Sequence, residues 1–235
     1  DTAHTRYIKE RCSHKKIFCY NTLEETCKVA LNQMLQIFAQ SMMYKIWFTA
    51  DTHFGHKRTL ELSRRPFKSV EEMDWTMIKN WNERVSPNDC VYHLGDVGNM
   101  NILSHLNFSL MLILPGNYDV DPNYFCTSLP ENVSMYFDKK AVKLIKPNHM
   151  MSLNDTIAPI KLVHEPEAAD NPASFYLFGH IHGLQKVKRN GLNVGMDCHN
   201  FCPISCDEVL FYMNAIKNHY DNNVFLDSLG KGGMK

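Results

Sequence analysis

The chain has 235 residues, enough for one large domain with a substantial core. Its 25 lysines and arginines balance 25 aspartates and glutamates, so charge does not favour binding to an extended nucleic acid or an anionic membrane. No apolar run is long enough to span a bilayer, and the N-terminal stretch is basic and polar rather than a secretory signal core. We therefore expect a cytoplasmic protein whose cysteines are mostly reduced.

Residues 1–42 are predicted to form an N-terminal extension with one amphipathic helix. Thr22 followed by Glu25 is a capping-box pattern. Apolar residues then recur at helical spacing: Cys27, Leu31, Met34, Leu35, Phe38 and Met42. We expect this helix to pack over the main domain. The alternatives are a lid, a contact between subunits of a homo-oligomer, or an upstream extension with no part in catalysis.

Residues 43–229 are predicted to form the main domain, followed by a flexible tail at 230–235. Ser69 and Glu72 form a second capping box, and Met73, Met77, Ile78 and Trp81 give the helix behind it a buried stripe. Residues 133–146 are expected to form a hairpin. Asp207 is expected to cap a last helix with an apolar side of Val209, Leu210, Met213 and Ile216. This mixture predicts an α/β or α+β layered fold.

Five predicted strands are each followed by polar side chains that can bind a metal. These side chains are Asp51 and His53, then Asp96, then Asn117, then His164, then His180 and His182. Because ligands gather at the carboxyl ends of strands in layered α/β folds, we expect all of them to converge on one patch. One histidine after a strand is more often structural, but seven such residues are poorly explained by coincidence.

The donor set indicates which ions such a patch would hold. Carboxylate and amide oxygens with imidazole nitrogens, and no thiolate, suit borderline divalent ions such as manganese, iron or zinc. Seven ligands are too many for one tetrahedral ion. Two ions that share a bridging carboxylate would use them all, and Asp96 is the expected bridge.

These blocks resemble the calcineurin-like metallophosphoesterase family, whose signature runs D-x-H, G-D, G-N-H-[DE], H and G-H-x-H. The corresponding residues here are Asp51 to His53, Gly95-Asp96, Gly116 to Asp119, His164, and Gly179 to His182. The order is complete across about residues 43–210. The stretch from Trp47 to His56 and the Arg65-Pro66-Phe67 sequence are similar to small phosphoesterases of bacteria and their phages, which implies a host-cytoplasmic location if a phage encodes the chain.

The resemblance implies a two-sheet β-sandwich flanked by helices, with a dinuclear metal site at its rim. By the family pattern, one ion would be held by Asp51, His53, Asp96 and His182, and the other by Asp96, Asn117, His164 and His180. The ions would be manganese, with iron, zinc or nickel as alternatives. A hydroxide that bridges them would attack phosphorus in line, since metal binding lowers the pKa of water to about 7.

The residue that protonates the leaving group is left open by one departure from the family. Many members have a histidine after the metal-binding asparagine, where this chain has Tyr118. Tyrosine can donate a proton but, with a reference pKa of about 10, matches neutral pH less well. His56 is the alternative candidate for contacting the phosphate or the leaving group.

The expected activity is hydrolysis of phosphodiesters, in particular of small nucleotides. The chain lacks the G-D-x-x-D-R-G arginine of the related protein phosphatases and reads Gly95 to Met100 instead, which disfavours a phosphoprotein substrate. The alternatives are a phosphomonoesterase, a metal-dependent nuclease, and a non-catalytic scaffold of the same fold. Neutral overall charge disfavours the nuclease, and retention of every ligand position disfavours the scaffold.

Overall fold

In a computed structural model of the protein, the described residues are 28–29, 31–32, 44–119, 134–137, 140–146, 148–153, 159–166 and 174–219. The chain divides into two compact units, Asp1–Met43 and Tyr44–Lys235. Within the first unit, Lys28, Val29, Leu31 and Asn32 are helical and exposed. The rest of the predicted N-terminal helix, with its Thr22–Glu25 cap, and the tail at 230–235 lie outside the described residues.

The described residues of the second unit form two mixed β-sheets. The first has six strands in the order β11-β1-β2-β3-β5-β4 and the second has five in the order β6-β7-β8-β10-β9. The strands are β1 (Ile46–Thr49), β2 (Cys90–His93), β3 (Leu110–Ile113), β4 (Ser134–Phe137), β5 (Lys140–Leu144), β6 (His149–Met151), β7 (Ile160–Leu162), β8 (Phe175–Phe178), β9 (Val187–Lys188), β10 (Gly191–Asn193) and β11 (Ile204–Ser205).

Each sheet has a parallel centre and antiparallel edges. Strands β1, β2, β3 and β5 run parallel, while β11 and β4 pair antiparallel at the two edges. In the second sheet β7, β8 and β10 are parallel, with β6 and β9 antiparallel outside them. The antiparallel pairing of β4 with β5 confirms the predicted hairpin. In both sheets the carboxyl ends of the central strands therefore share one edge.

The two sheets pack face to face around one apolar core. Phe48 from β1 meets Leu162 and Leu177 from the second sheet in this core. The neighbouring residue Trp47 points to the opposite face of the first sheet, where it packs in a second core with Met111. This alternation follows from the two-residue period of a strand. The predicted layered α/β sandwich is thus confirmed.

The described part of the second unit has three α-helices: α1 (Lys57–Leu62), α2 (Val70–Arg84) and α3 (Cys206–His219). Helix α2 buries the predicted stripe of Met73, Met77, Ile78 and Trp81 against the outer face of the first sheet. Its Ser69 hydroxyl accepts from the Glu72 amide at 3.2 Å, as a capping box requires. The Glu72 carboxylate in turn accepts a hydrogen bond from the amide of Lys68 rather than from that of Ser69.

The predicted cap of α3 at Asp207 is wrong. The Ser205 hydroxyl accepts from the Glu208 amide at 3.2 Å, and the Glu208 carboxylate accepts from the Ser205 amide at 2.7 Å. Ser205 and Glu208 therefore form the capping box, and Asp207 lies in the first helical turn. Within the predicted apolar side of α3, Val209 and Ile216 are buried and Leu210 and Met213 are half-buried.

None of the helices in the described part of the chain combines the length and apolar character that crossing a membrane requires. The four cysteines within that part, Cys90, Cys198, Cys202 and Cys206, are free thiols, in agreement with the expectation of reduced cysteines.

Candidate metal centre

The seven residues singled out from the sequence follow the carboxyl ends of parallel strands. Asp51 and His53 follow β1, Asp96 follows β2 and Asn117 follows β3, all in the first sheet. His164 follows β7, and His180 and His182 follow β8, in the second sheet. A bridge between Ala50 and Gly195 joins the two strand-end regions. Loops from both sheets therefore contribute to one site.

Six of the seven residues fall into two clusters of three. In each cluster one ligand atom from every member lies within 4.8 Å of the others. The first cluster is Asp51, His53 and His182, and the second cluster is Asp96, His164 and His180. In both, the aspartate is buried, whereas the histidine that follows β8 is less so.

Asp96 lies between the two clusters. One of its oxygens, Oδ2, is 3.5 Å from Nε2 of His53 and 3.4 Å from Nε2 of His164. The other, Oδ1, accepts a hydrogen bond from the Tyr118 amide at 2.9 Å. Its carboxylate thus faces a histidine of each cluster, which is the arrangement that a bridging ligand needs.

The seventh residue, Asn117, lies beside the second cluster. Its Oδ1 is 3.0 Å from Nε2 of His164 and 3.1 Å from Nδ1 of His180. The two clusters are also joined through the backbone, because the His180 amide donates to both oxygens of Asp51, at 3.0 and 2.9 Å. All seven residues therefore occupy one connected site.

Five of the seven residues have the left-handed backbone conformation that side-chain-bearing residues seldom adopt. Their φ angles are positive: Asp51 at 55°, His53 at 48°, Asp96 at 59°, His180 at 71° and His182 at 49°. Such conformations persist only where the surrounding structure holds them, and they concentrate at functional sites.

Two motif glycines are required by close approach of the chain. Gly95, before Asp96, has φ of +97°, and a Cβ there would lie 2.6 Å from the backbone of Gly116 and from Nδ1 of His164. At Gly179, before His180, a Cβ would lie 2.5 Å from Cβ of Ala50 and 2.8 Å from a carboxylate oxygen of Asp51. These glycines let the five loops meet at the distances that the clusters need.

Burial and neighbouring charges shift the protonation of both clusters. Burial raises the pKa of Asp51 to about 6 and lowers the pKa of His53 to about 3. Burial also lowers the pKa of His164, but the hydrogen bond to Asp96 and the charges of Asp51 and Asp96 outweigh it and raise that pKa to about 9. Burial raises the pKa of Asp96, yet His164 brings it below its ordinary value. Asp96 and His164 therefore form an ion pair without metal.

The residues fit a pair of divalent cations. Nε2 of His53 is buried and has no hydrogen-bond partner among the described residues, which is costly unless another group binds it. The low pKa of His53 keeps its imidazole in the neutral form that ligates metals. Both clusters offer only oxygen and nitrogen donors, the set that suits borderline divalent ions.

Tyr118 and His56 lie at the rim of the site, and the rings of both are next to that of His53. The Tyr118 ring packs edge-on against His53 with centroids 5.3 Å apart, and it is 45 % exposed. The His56 ring is 5.6 Å from that of His53 and 6.4 Å from that of Tyr118. Both candidates for contacting the leaving group thus stand next to the first cluster.

The structure adds three charged residues, of which two are buried and Asp197 is half-buried, that the sequence did not single out as part of the site. Arg65 and Asp197 form an ion pair that reaches His182, with Nδ1 of His182 2.9 Å from Asp197. Asp119 accepts hydrogen bonds from the amides of Asp96, Val97 and Gly116 and so holds two of the loops. Asp119 was visible as the acidic position of the asparagine block, whereas nothing near Asp197 in the sequence marks its role.

A two-sheet sandwich with paired clusters of aspartate and histidine at one rim is the architecture of a dinuclear metallohydrolase. The sequence profile of the calcineurin-like phosphoesterase superfamily domain matches residues 44–196. The chain belongs to this superfamily, and the predicted resemblance is confirmed. Members of this superfamily in general hydrolyse phosphoesters and typically bind two metal ions, although some members are not catalytic.

Similar proteins extend the comparison without naming a substrate. An uncharacterized protein of Methanocaldococcus jannaschii is 29 % identical over 185 residues, which are 72 % of this chain and 90 % of that protein. The gene 66 protein of Mycobacterium phage L5 is 46 % identical over 55 residues, 23 % of this chain and 26 % of that protein. The crystal structure of a protein of unknown function from Aquifex aeolicus shares the fold, with a TM-score of 0.51, 19 % identity, and coverage of 72 % of this chain and 99 % of that one.

Proposed function

We propose that the protein is a two-metal phosphodiesterase that hydrolyses small nucleotide diesters or related compounds. The observation that carries the proposal is the position of Asp96, whose Oδ2 lies 3.5 Å from Nε2 of His53 and 3.4 Å from Nε2 of His164. One carboxylate can thereby serve both clusters. Asp51, His53, Asp96 and His182 would hold one ion, and Asp96, Asn117, His164 and His180 the other, with manganese as the proposed metal.

Bound there, two divalent ions would activate a water for attack and neutralise charge on the phosphate. The residues of the chain fix where this happens. The amide of Tyr118 holds Oδ1 of Asp96, and the amide of His180 holds the Asp51 carboxylate, so both carboxylates are oriented before any substrate arrives. Tyr118 or His56, at the rim, would give a proton to the departing oxygen.

A cavity next to the first cluster supports a small nucleotide as the substrate. Its volume is about 390 Å³, within the range of small-molecule sites, and its lining includes His53, His182 and Tyr118. Lys57 and Arg58 of α1 supply positive charge at its exposed side, while Leu62 and the Tyr118 ring supply apolar surface. A leaving group with a ring and a further negative charge matches this lining.

Hydrolysis of bis-p-nitrophenyl phosphate by the manganese-loaded protein tests the proposal. We expect turnover of this diester to exceed that of p-nitrophenyl phosphate, and we expect Asp96→Asn to abolish it. Asp207→Asn, which removes an exposed carboxylate on α3, is the matched control and should be unchanged. Activity that survives in Asp96→Asn would assign the chemistry to other residues.

The proposed preference for nucleotide substrates can be tested separately at the two basic residues that line the cavity, Lys57 and Arg58. Replacing Lys57 and Arg58 together with alanine should raise KM for nucleotide diesters and leave bis-p-nitrophenyl phosphate, which has no further charge, nearly unchanged. Equal effects on both substrates would contradict a nucleotide-binding role for the cavity.

A further inference from the structure

A buried ion pair stands behind the first cluster. Arg65, which is 4 % exposed, donates through Nε to Oδ1 of Asp197 at 2.9 Å and through Nη2 to Oδ2 at 2.8 Å. Two parallel bonds of this kind fix the geometry of both side chains. The partners are 132 residues apart in sequence, so the pair joins the segment after α1 to the turn that follows β10.

Asp197 also forms a hydrogen bond with His182. Its Oδ2 is 2.9 Å from Nδ1 of His182. An ionised carboxylate only accepts hydrogen bonds, so Nδ1 must carry a proton, and in the neutral ring Nε2 is the nitrogen that has the lone pair. The His182 ring lies parallel to that of His53, with centroids 5.0 Å apart. A carboxylate behind a histidine is a common way to fix the tautomer of a metal ligand.

The same guanidinium also holds the loop that bears the other members of the first cluster. Nη1 of Arg65 donates to the carbonyl of Thr52 at 2.9 Å, and Nη2 donates to the carbonyl of Asp51 at 2.5 Å. Asp51 and His53 on either side of this contact have positive φ angles. One side chain therefore anchors the strained loop and, through Asp197, the His182 ring.

The second cluster is supported differently. Nδ1 of His164 donates to the carbonyl of Leu94 at 2.7 Å, and Nδ1 of His180 faces the amide oxygen of Asn117 at 3.1 Å. Its histidines thus rest on a backbone carbonyl and an amide, and the contacts of Arg65 and Asp197 described above all go to the first cluster. Loss of the pair should therefore affect one half of the site.

We propose that Arg65 and Asp197 are positioning residues that fix the metal-binding tautomer of His182 and the Asp51–His53 loop, and thereby determine occupancy of the first cluster alone. This inference rests on the proposed two-metal site. Supporting residues of this kind contribute about 10- to 100-fold to metal affinity. Metal binding by the first cluster should consequently depend on Arg65 and Asp197, whereas metal binding by the second cluster should not.

Metal binding by the full chain and two variants tests the inference. Asp197→Ala removes the acceptor for His182, and Arg65→Lys keeps the buried charge but loses the fork. We expect each variant to bind one Mn²⁺ with the wild-type affinity and the second at least about 10-fold more weakly. In electron paramagnetic resonance, the spectrum of a coupled pair should give way to that of a single ion. Arg84→Lys, in the separate Arg84–Glu208 pair, is the matched control and should bind two ions normally.

The position of the proton on the His182 ring provides a second test, which can be measured without metal. Nitrogen-15 spectra of the metal-free wild type should show the His182 proton on Nδ1, and Asp197→Ala should lose that preference. Two ions bound with wild-type affinity by both variants, equal weakening of both ions, or a wild-type proton on Nε2 would each overturn the inference. If the wild type itself bound no pair of ions, the proposed function would fail instead.

Discussion

Five residues of the two clusters adopt a left-handed backbone conformation at an energetic cost. For residues other than glycine this conformation costs on the order of 1–3 kcal/mol each, although aspartate and histidine adopt it more often than most residues do. The surrounding contacts that hold it are specific: Arg65 bonds the carbonyls of Asp51 and Thr52, and Asp119 bonds the amide of Asp96. The strain is therefore localised where side chains from different strands must point at the same place.

Tyr118→Phe should distinguish substrates by their leaving groups. We expect turnover of a nucleotide diester, whose alkoxide leaving group needs a proton, to fall by about 100-fold, since general acids contribute at least that much. Turnover of bis-p-nitrophenyl phosphate should change little because p-nitrophenolate leaves without a proton. Steady-state kinetics on the two substrates measures this difference. An equal fall on both would exclude Tyr118 as the acid, and His56→Ala would then be expected to show the leaving-group dependence.

Metal uptake should release protons at neutral pH. The pKa of His164 lies at about 9 because Asp96 and Asp51 outweigh the effect of burial, so its imidazole is protonated at about pH 7.5 without metal. A metal ion ligates only the neutral imidazole, and the proton must leave. Affinity should therefore rise with pH up to about 9, with a further loss below about 6, where Asp51 takes up a proton.

Calorimetric titration with Mn²⁺ in buffers of different ionisation enthalpy measures this release. The number of protons released per chain should be clearly above zero at about pH 7.5 and should decline above pH 9. A binding enthalpy that does not depend on the buffer at about pH 7.5 would contradict the prediction.

At the scale of secondary-structure elements, a helix was predicted correctly where its capping residues and the spacing of its buried apolar residues indicated the same segment. Helix α2 begins after Ser69 and buries the predicted stripe because the cap and the 3.6-residue period point to the same helix. Helix α3 begins two residues earlier than expected because Ser205 and Glu208 satisfy each other, which leaves no capping role for Asp207. The capping pattern of Ser205 and Glu208 was present in the sequence. The spacing of the apolar residues that follow it did not by itself determine at which residue the helix begins.

Ser205→Ala should destabilise the protein by about 1 kcal/mol, the usual cost of removing a helix cap. Asp207→Ala should cost less, about 0.5 kcal/mol, because it loses only a charge near the helix N-terminus. Urea denaturation of the two variants compares these costs directly. A larger loss in Asp207→Ala than in Ser205→Ala would mean that the Ser205–Glu208 bonds do not stabilise α3.

At the scale of the whole molecule, the layered fold and the gathering of the seven strand-end residues could be predicted because both depend on repeated, local features. Parallel strands place their carboxyl ends at one edge, so polar residues after each strand meet without detailed knowledge of the loops. The Arg65–Asp197 pair could not be predicted in this way. Its two residues are 132 positions apart and meet only because the turn after β10 folds over the segment after α1.

The central claim is that Asp96 bridges two divalent ions held by two neighbouring clusters. Anomalous diffraction from manganese-loaded crystals tests it most directly. We predict two peaks about 3.5–4 Å apart, one beside Asp51, His53 and His182 and one beside Asn117, His164 and His180, with the Asp96 carboxylate between them. A single peak, or peaks away from Asp96, would contradict this account.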